Sequence, residues 1–216
     1  MAKENIHDEK ERFRHSIELA TTIILALSTI ASAWCTYQAT LWSGIQAFRL
    51  SAVDALGRKS AEQTIRAGQM RTTDGILFIE YLKGKESHKD SLSNFFYNRF
   101  RPELKRAMDA WLATKPFQNP QSPLHPLVME EYNLESEQEA KRLSEESAQK
   151  FDEARQANEN SDHYVMLTVI FASVMFFGGI STQIESPRYR ITLLVIGGIL
   201  LCSTLGVVYS YPIAFE

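Results

Sequence analysis

Cysteine is almost missing from this chain of 216 residues: only Cys35 and Cys202 occur, and both lie inside apolar runs. That excludes a disulfide framework and a cysteine zinc site. A bridge between the two is not expected, since Cys35 would lie near a membrane surface and Cys202 deeper, and their α-carbons would have to come within about 7 Å. A basic excess is missing too. With a formal net charge of -3, nucleic acid is not expected as a partner, because tracking phosphates takes a surplus of Lys and Arg. Catalytic motifs are absent as well: there is no P-loop, Rossmann glycine pattern, H-E-x-x-H, C-x-x-C or G-x-S-x-G. The histidines, His7, His15, His88, His125 and His163, never stand three or four residues apart, the spacing at which a helix presents a metal. Glu130, Glu131, Glu145 and Glu146 are numerous in their segment but read as a solvated acidic face. No enzyme, cofactor or metal site is therefore expected.

Charge is also absent from three long stretches, and there the absence is informative. Between His15 and Arg49 the only charged residue is Glu18. The run IELATTIILALSTIASAWCTY opens a first span over residues 17–42, long enough to cross an apolar layer of about 30 Å as a helix. HYVMLTVIFASVMFFGGIST, residues 163–182, and ITLLVIGGILLCSTLGVVYSY, residues 191–211, are the second and third. A buried core helix rarely stays uncharged all round for so long. The fold class expected is an all-α membrane protein with three transmembrane helices.

Orientation follows from the short flanks. A tail of residues 1–16 carries Lys3, Lys10, Arg12 and Arg14, and the hairpin of residues 183–190, QIESPRYR, carries Arg188 and Arg190 beside Pro187. Both favour the cytoplasmic side under the positive-inside rule. Residues 43–162 then lie outside as a helical domain, and residues 212–216 exit on the same face. Trp34, Tyr37, Trp42, Tyr164, Tyr209 and Tyr211 fall at one interface, as an aromatic belt does. A secretory signal peptide cut after Ala31-Ser32-Ala33 is the competing reading. Acids in the n-region (Asp8, Glu9, Glu11) and the apolar continuation past the site argue against it.

In the external domain, residues 43–84 repeat apolar or small residues every three or four positions, so the first span is expected to continue outward as a helix, with Gly57, Gly68 and Gly75 as weak points. Ala47, Ser51, Ala55, Ala61 and Ala67 form a small-residue stripe suited to close helix packing. Residues 87–114 carry Leu92, Phe95, Phe96, Phe100, Leu104, Met108, Trp111 and Leu112 at helical spacing, interrupted near Pro102, and are the expected core. Pro116, Pro120, Pro123 and Pro126 impose an extended loop. Residues 128–162 read as an acidic helix with a narrow stripe of Leu143, Phe151 and Ala154. That helix is expected to return antiparallel to the first in a partly coiled-coil-like arrangement, with a break or cap at NENSD, Asn158 to Asp162.

Two faces inside the spans stand out. Thr22, Thr29, Ser32, Thr36, Thr40 and Ser43 share one side of the first span, with Gln38 and Gln46 at its outer end. Such hydroxyls either line a hydrated pathway in an oligomer or pack on the other spans. Gly198, Cys202, Gly206 and Ser210 recur every four residues in the third span, a small-xxx-small pattern for tight helix contact within the chain or across a subunit boundary. Glu18, the one acid in the spans, is expected to pair with Arg14 four residues earlier or to reach the headgroups.

The segments RFRPELKRAMDAWLATKPFQNPQSPLHP, ANENSDHYVMLTVIFASVMFFGGI and WCTYQATLWSGIQ together resemble a family of small uncharacterised bacterial three-span membrane proteins with a helical extracytoplasmic domain. The resemblance implies the bacterial inner membrane and brings no catalytic residue with it. Taken together, these features lead us to expect a non-enzymatic protein in contact with membrane lipid, whose external domain associates with itself or with another envelope protein. The alternative is a homo-oligomeric channel or transport subunit lined by the first span.

Overall fold

The computed structural model describes residues 2–215, with side chains from Glu11 onward. Lys3, His7, Asp8, Glu9 and Lys10 of the tail therefore lie outside the described side chains. Every regular element among the described residues is helical: α1 (Ala2–Glu86), α2 (Asp90–Tyr97), α3 (Pro102–Ala113), α4 (Glu135–Gln183) and α5 (Pro187–Ser210), with one 3-10 turn at Pro126–Val128. Three of them, α1, α4 and α5, are long and apolar enough to cross a membrane.

Helix α1 runs without interruption through Gly57, Gly68 and Gly75, because a lone glycine costs a helix only about 1 kcal/mol. It stops after Glu86, where His88 takes a left-handed φ of 54° and Lys89 N–H closes on Gly84 O at 3.0 Å. Pro102 occupies the first turn of α3 and holds Arg101 extended at ψ 156°, as a residue before proline must be. Likewise Pro187 opens α5, so the hairpin reduces to Ile184, Glu185 and Ser186.

The chain divides into two compact units, Met1–Leu50 with Phe151–Glu216, and Ser51–Lys150. In the first, the buried face of α1 passes through Thr21, Ser28, Cys35 and Ala39 to the half-buried Trp42, and that of α4 through Ala157, Ser161, Tyr164, Leu167, Phe171 and Val174. These helices are antiparallel and close. Ser161 Oγ donates to Ala39 O at 3.0 Å and Arg49 Nη1 to Glu153 O at 2.8 Å. Helix α5 packs through Leu194, Gly197, Leu201 and Thr204; a Cβ added at Gly197 would lie 3.8 Å from Val174 Cγ1.

In the second unit, Val53, Leu56, Ser60, Gln63, Ala67, Met70 and Asp74 of α1 form a seam spaced alternately by three and four residues, faced by Ser136, Ala140, Leu143, Ser147 and Lys150 of α4. This is the heptad period of paired helices. Hydroxyls bind across it: Ser60 Oγ donates to Ala140 O at 2.8 Å and Ser147 Oγ to Val53 O at 3.2 Å. Helices α2 and α3 and the proline loop close an aromatic core of Phe78, Tyr81, Phe100, Leu104, Met108, Trp111 and Tyr132 over the end of α1. Phe78 and Trp111 meet edge to face at 5.3 Å, and Trp111 Nε1 donates to Pro123 O at 2.7 Å, pinning the loop.

Several expectations are corrected. Of the small-residue stripe, only Ala67 is buried and Ala55 half-buried, whereas Ala47, Ser51 and Ala61 are exposed; the seam follows a period near 3.5 and runs beside them. Phe151 is exposed for the same reason, one position off the seam at Lys150 and Ala154. NENSD neither breaks nor caps α4. There Asn158 Nδ2 bonds Asp162 Oδ2 at 2.9 Å along the continuing helix, and Ser161 crosses to α1. Leu92 and Phe95 are exposed rather than in the core, and Tyr164 turns into the bundle, fully buried.

Candidate functional site

The hydroxyl face of the first span lies one position around the helix from the α4 seam. Thr22, Thr29, Thr36, Thr40 and Ser43 are exposed on the surface of the chain and Ser32 is half-buried. Four of these threonines return their hydroxyl to their own helix: Thr22 to Glu18 O, Thr29 to Leu25 O, Thr36 to Ser32 O and Thr40 to Thr36 O, all within 3.0 Å. Only Thr29 also reaches α4, at Met175 Sδ, 3.4 Å. On α5, Gly198 is half-buried and Cys202, Gly206 and Ser210 are exposed, and a Cβ at Gly198 or Gly206 would meet nothing within 4 Å. The contact with α4 uses the neighbouring row through Gly197 instead. Both small-residue faces are thus left open by the single chain. Cys35 is buried and Cys202 exposed, and both are free.

Glu18 meets Arg14 at 3.5 Å and Arg190 of α5 at 3.9 Å. It therefore ties the entry of the first span to the first turn of the third. Arg190 is 12% exposed in its side chain, and its Nε has no partner among the described residues.

The best-organised polar cluster, which the sequence reading missed, sits in the second unit. Asp74 has no exposed surface. Its Oδ1 accepts from Arg101 Nε at 3.2 Å and its Oδ2 from Tyr132 Oη at 2.8 Å and from Arg101 Nη2. A buried carboxylate is tolerated because it is met by a guanidinium and a phenol together. Burial, and then the bond to Asp74, push the Tyr132 phenol above its ordinary range, while Asp74 raises Arg101. Beside the cluster lies a cavity of about 260 Å³ lined in part by Gln63, Arg66, Arg101, Ser136 and Glu139. Its charges are mixed, and the fork of Arg101 is spent on Asp74. The arrangement fastens α1, the start of α3 and the segment just before α4 to one another. A signal was available: Asp74 continues the series Ala67, Met70 on the apolar side of α1, where a solvated acid has no place.

At the far end of the same unit, a shallow groove of about 650 Å³ is lined by Tyr81, Leu82, Lys85, Glu86, Leu112 and Phe117. Phe117 rests on Trp111 at 5.8 Å yet stays 71% exposed. Among the described residues no three His, Cys, Asp or Glu side chains gather as a metal would require.

These features define an all-α chain with three helices fit to cross a membrane and a second, helical unit built on a heptad seam. No family model matches the chain, and no curated protein or solved structure matches it either.

Proposed function

We propose that this is a non-enzymatic protein of the bacterial inner membrane whose helical unit, residues 51–150, acts in self-association or in recognition of an envelope partner. The observation that carries this reading is the groove around Leu82, Leu112 and Phe117, where Phe117 stands largely exposed beside the half-buried Leu82 and Leu112; aromatic side chains of this kind are enriched where proteins meet. In this reading the N-terminal tail and the hairpin, with Arg188 and Arg190, face the cytoplasm and the helical unit lies outside. The resemblance to small bacterial three-span proteins supports the same placement. The test is the native mass of the full chain in mild detergent, together with crosslinking in native membranes. A defined oligomer or a reproducible crosslinked partner, weakened by Phe117→Ser, is expected. A strict monomer with no partner in membranes overturns the reading.

A second reading, a homo-oligomeric channel or transport subunit, is favoured by the exposure of Thr22, Thr29, Thr36, Thr40 and Ser43 on one face of the first span. It requires cysteines at Thr29, Ser32 and Thr36 to react with water-soluble thiol reagents while one at Ile30 does not. Equal protection of both sets removes it.

A further inference from the structure

Gln38 is an amide inside the first span with no exposed surface, a placement that is costly unless both halves of the amide are paired. Both are, and by a single residue. Ala214 N–H donates to Gln38 Oε1 at 2.8 Å and Gln38 Nε2 donates to Ala214 O at 3.3 Å. This is how one extended strand reads another: N–H and C=O of one residue are engaged together, whatever its side chain. Two residues earlier, Pro212 O accepts from Trp42 Nε1 at 3.2 Å and from Tyr164 Oη at 3.3 Å. Pro212 brings no N–H needing a partner of its own. Tyr211 ends α5 at ψ 148° and stacks on His163 with centroids 4.8 Å apart.

We infer that residues 211–215 are a latch seated in a backbone-reading crevice made by Gln38, Trp42 and Tyr164, and that its release uncovers the interior of the three-helix bundle at Cys35. Two features make the segment releasable rather than part of the core. Beyond Tyr211, which packs on the bundle, it is held by polar bonds: of residues 212–215 only Ala214 is buried, at 6% exposed, while Ile213 and Phe215 are 45% and 84% exposed. The bonds also grade outward: the Gln38 pair is buried, the Tyr164 bond to Pro212 O is part-buried and the Trp42 bond to Pro212 O is exposed, so water competes for the outermost one and release can start there. Cys35 sits one turn from Gln38 on α1, with no exposed surface, in a cluster with Ala39, Tyr164 and Leu167 against which Tyr211 packs. The inference is independent of what the helical unit recognises.

The test uses the full chain carrying Cys202→Ser, so that Cys35 is the single thiol, and follows its modification by a water-soluble maleimide. Three forms are compared: the latch unaltered, residues 212–215 replaced by Gly-Ser-Gly-Ser, and Gln38→Leu with the segment retained. Both altered forms are expected to react about tenfold faster or more, as local opening exposes the thiol, with helix content by circular dichroism unchanged. Equal rates in all three overturn the latch. Faster reaction in the replaced segment alone overturns the role given to Gln38, and faster reaction in Gln38→Leu alone overturns the cover given to the segment. Loss of folding in either form also overturns the proposal, because the segment would then be a fixed part of the core.

Discussion

At the scale of single residues, the Asp74 cluster governs the second unit. Removing a partner from a buried ion pair costs about 3–5 kcal/mol, and Arg101 is about one-third exposed in its side chain, so the lower end applies. Asp74→Ala is therefore expected to destabilise the full chain by about 3 kcal/mol, read as a lowered melting midpoint in mild detergent. The phenols set an alkaline limit. Tyr132 is pushed up chiefly by burial, and Tyr97 to about 12, chiefly by its bond to Asp109. Both hold their protons more tightly folded than unfolded. Their contribution is thus complete below the ordinary phenol value of about 10 and is lost as pH rises through the folded values. Melting midpoints should stay level through neutral pH and fall from about pH 10 upward; Tyr132→Phe should lower the plateau, by the lost bond to Asp74, and flatten the decline. The presence of an acid on an apolar stripe could be seen in the sequence. Its partners, Arg101 and Tyr132, could not, because 27 and 58 residues separate them from Asp74 along the chain.

At the scale of elements, the glycines of α1 divide by what surrounds them. A Cβ at Gly68 meets nothing within 4 Å, whereas one at Gly84 would fall 2.6 Å from Ser93 Oγ and 3.1 Å from Ser93 N. Gly68→Ala should therefore stabilise the helix by about 0.5–1 kcal/mol. Gly84→Ala should cost about 1–3 kcal/mol, because α2 must move away. Opposite shifts in thermal midpoint would verify the pair, and equal shifts would refute the packing of α2 on α1. The existence of the long helices was legible from periodicity, and so was the turn into α3 at Pro102. The choice of face was not. Ala47, Ser51 and Ala61 look as suited to packing as Val53, Leu56 and Ser60, and the selection came from the pairing with α4, where Ser60 of α1 bonds the Ala140 carbonyl at 2.8 Å and Ser147 of α4 bonds the Val53 carbonyl at 3.2 Å.

At the scale of the whole molecule, the spans carry open small-residue faces and the helical unit an open apolar groove. If association runs through the groove, Phe117→Ser should return the protein toward the monomer mass without lowering helix content, since Phe117 is mostly exposed and contributes little to the core. A mass unchanged by that substitution, in a protein that is still oligomeric, would move the contact to the spans. There the faces through Thr29 and Thr36, or through Gly198 and Gly206, remain free for close helix approach.

What the sequence determined by itself is whatever depends on local composition: three runs of spanning length, two without charge and one holding only Glu18 at its start, long helices, turns at the prolines and arginines on the short flanks. Such properties are settled within a few turns of helix or by the loops at its ends. Only the tertiary structure decided which row of each helix is buried, that Asp74 is clamped by Arg101 and Tyr132, and that Gln38 holds the backbone of Ala214. The physical reason is common to all three. A polar group in an apolar setting is stable only when its hydrogen bonds are completed, and the groups completing these come from distant parts of the chain, brought there by packing that no local pattern specifies.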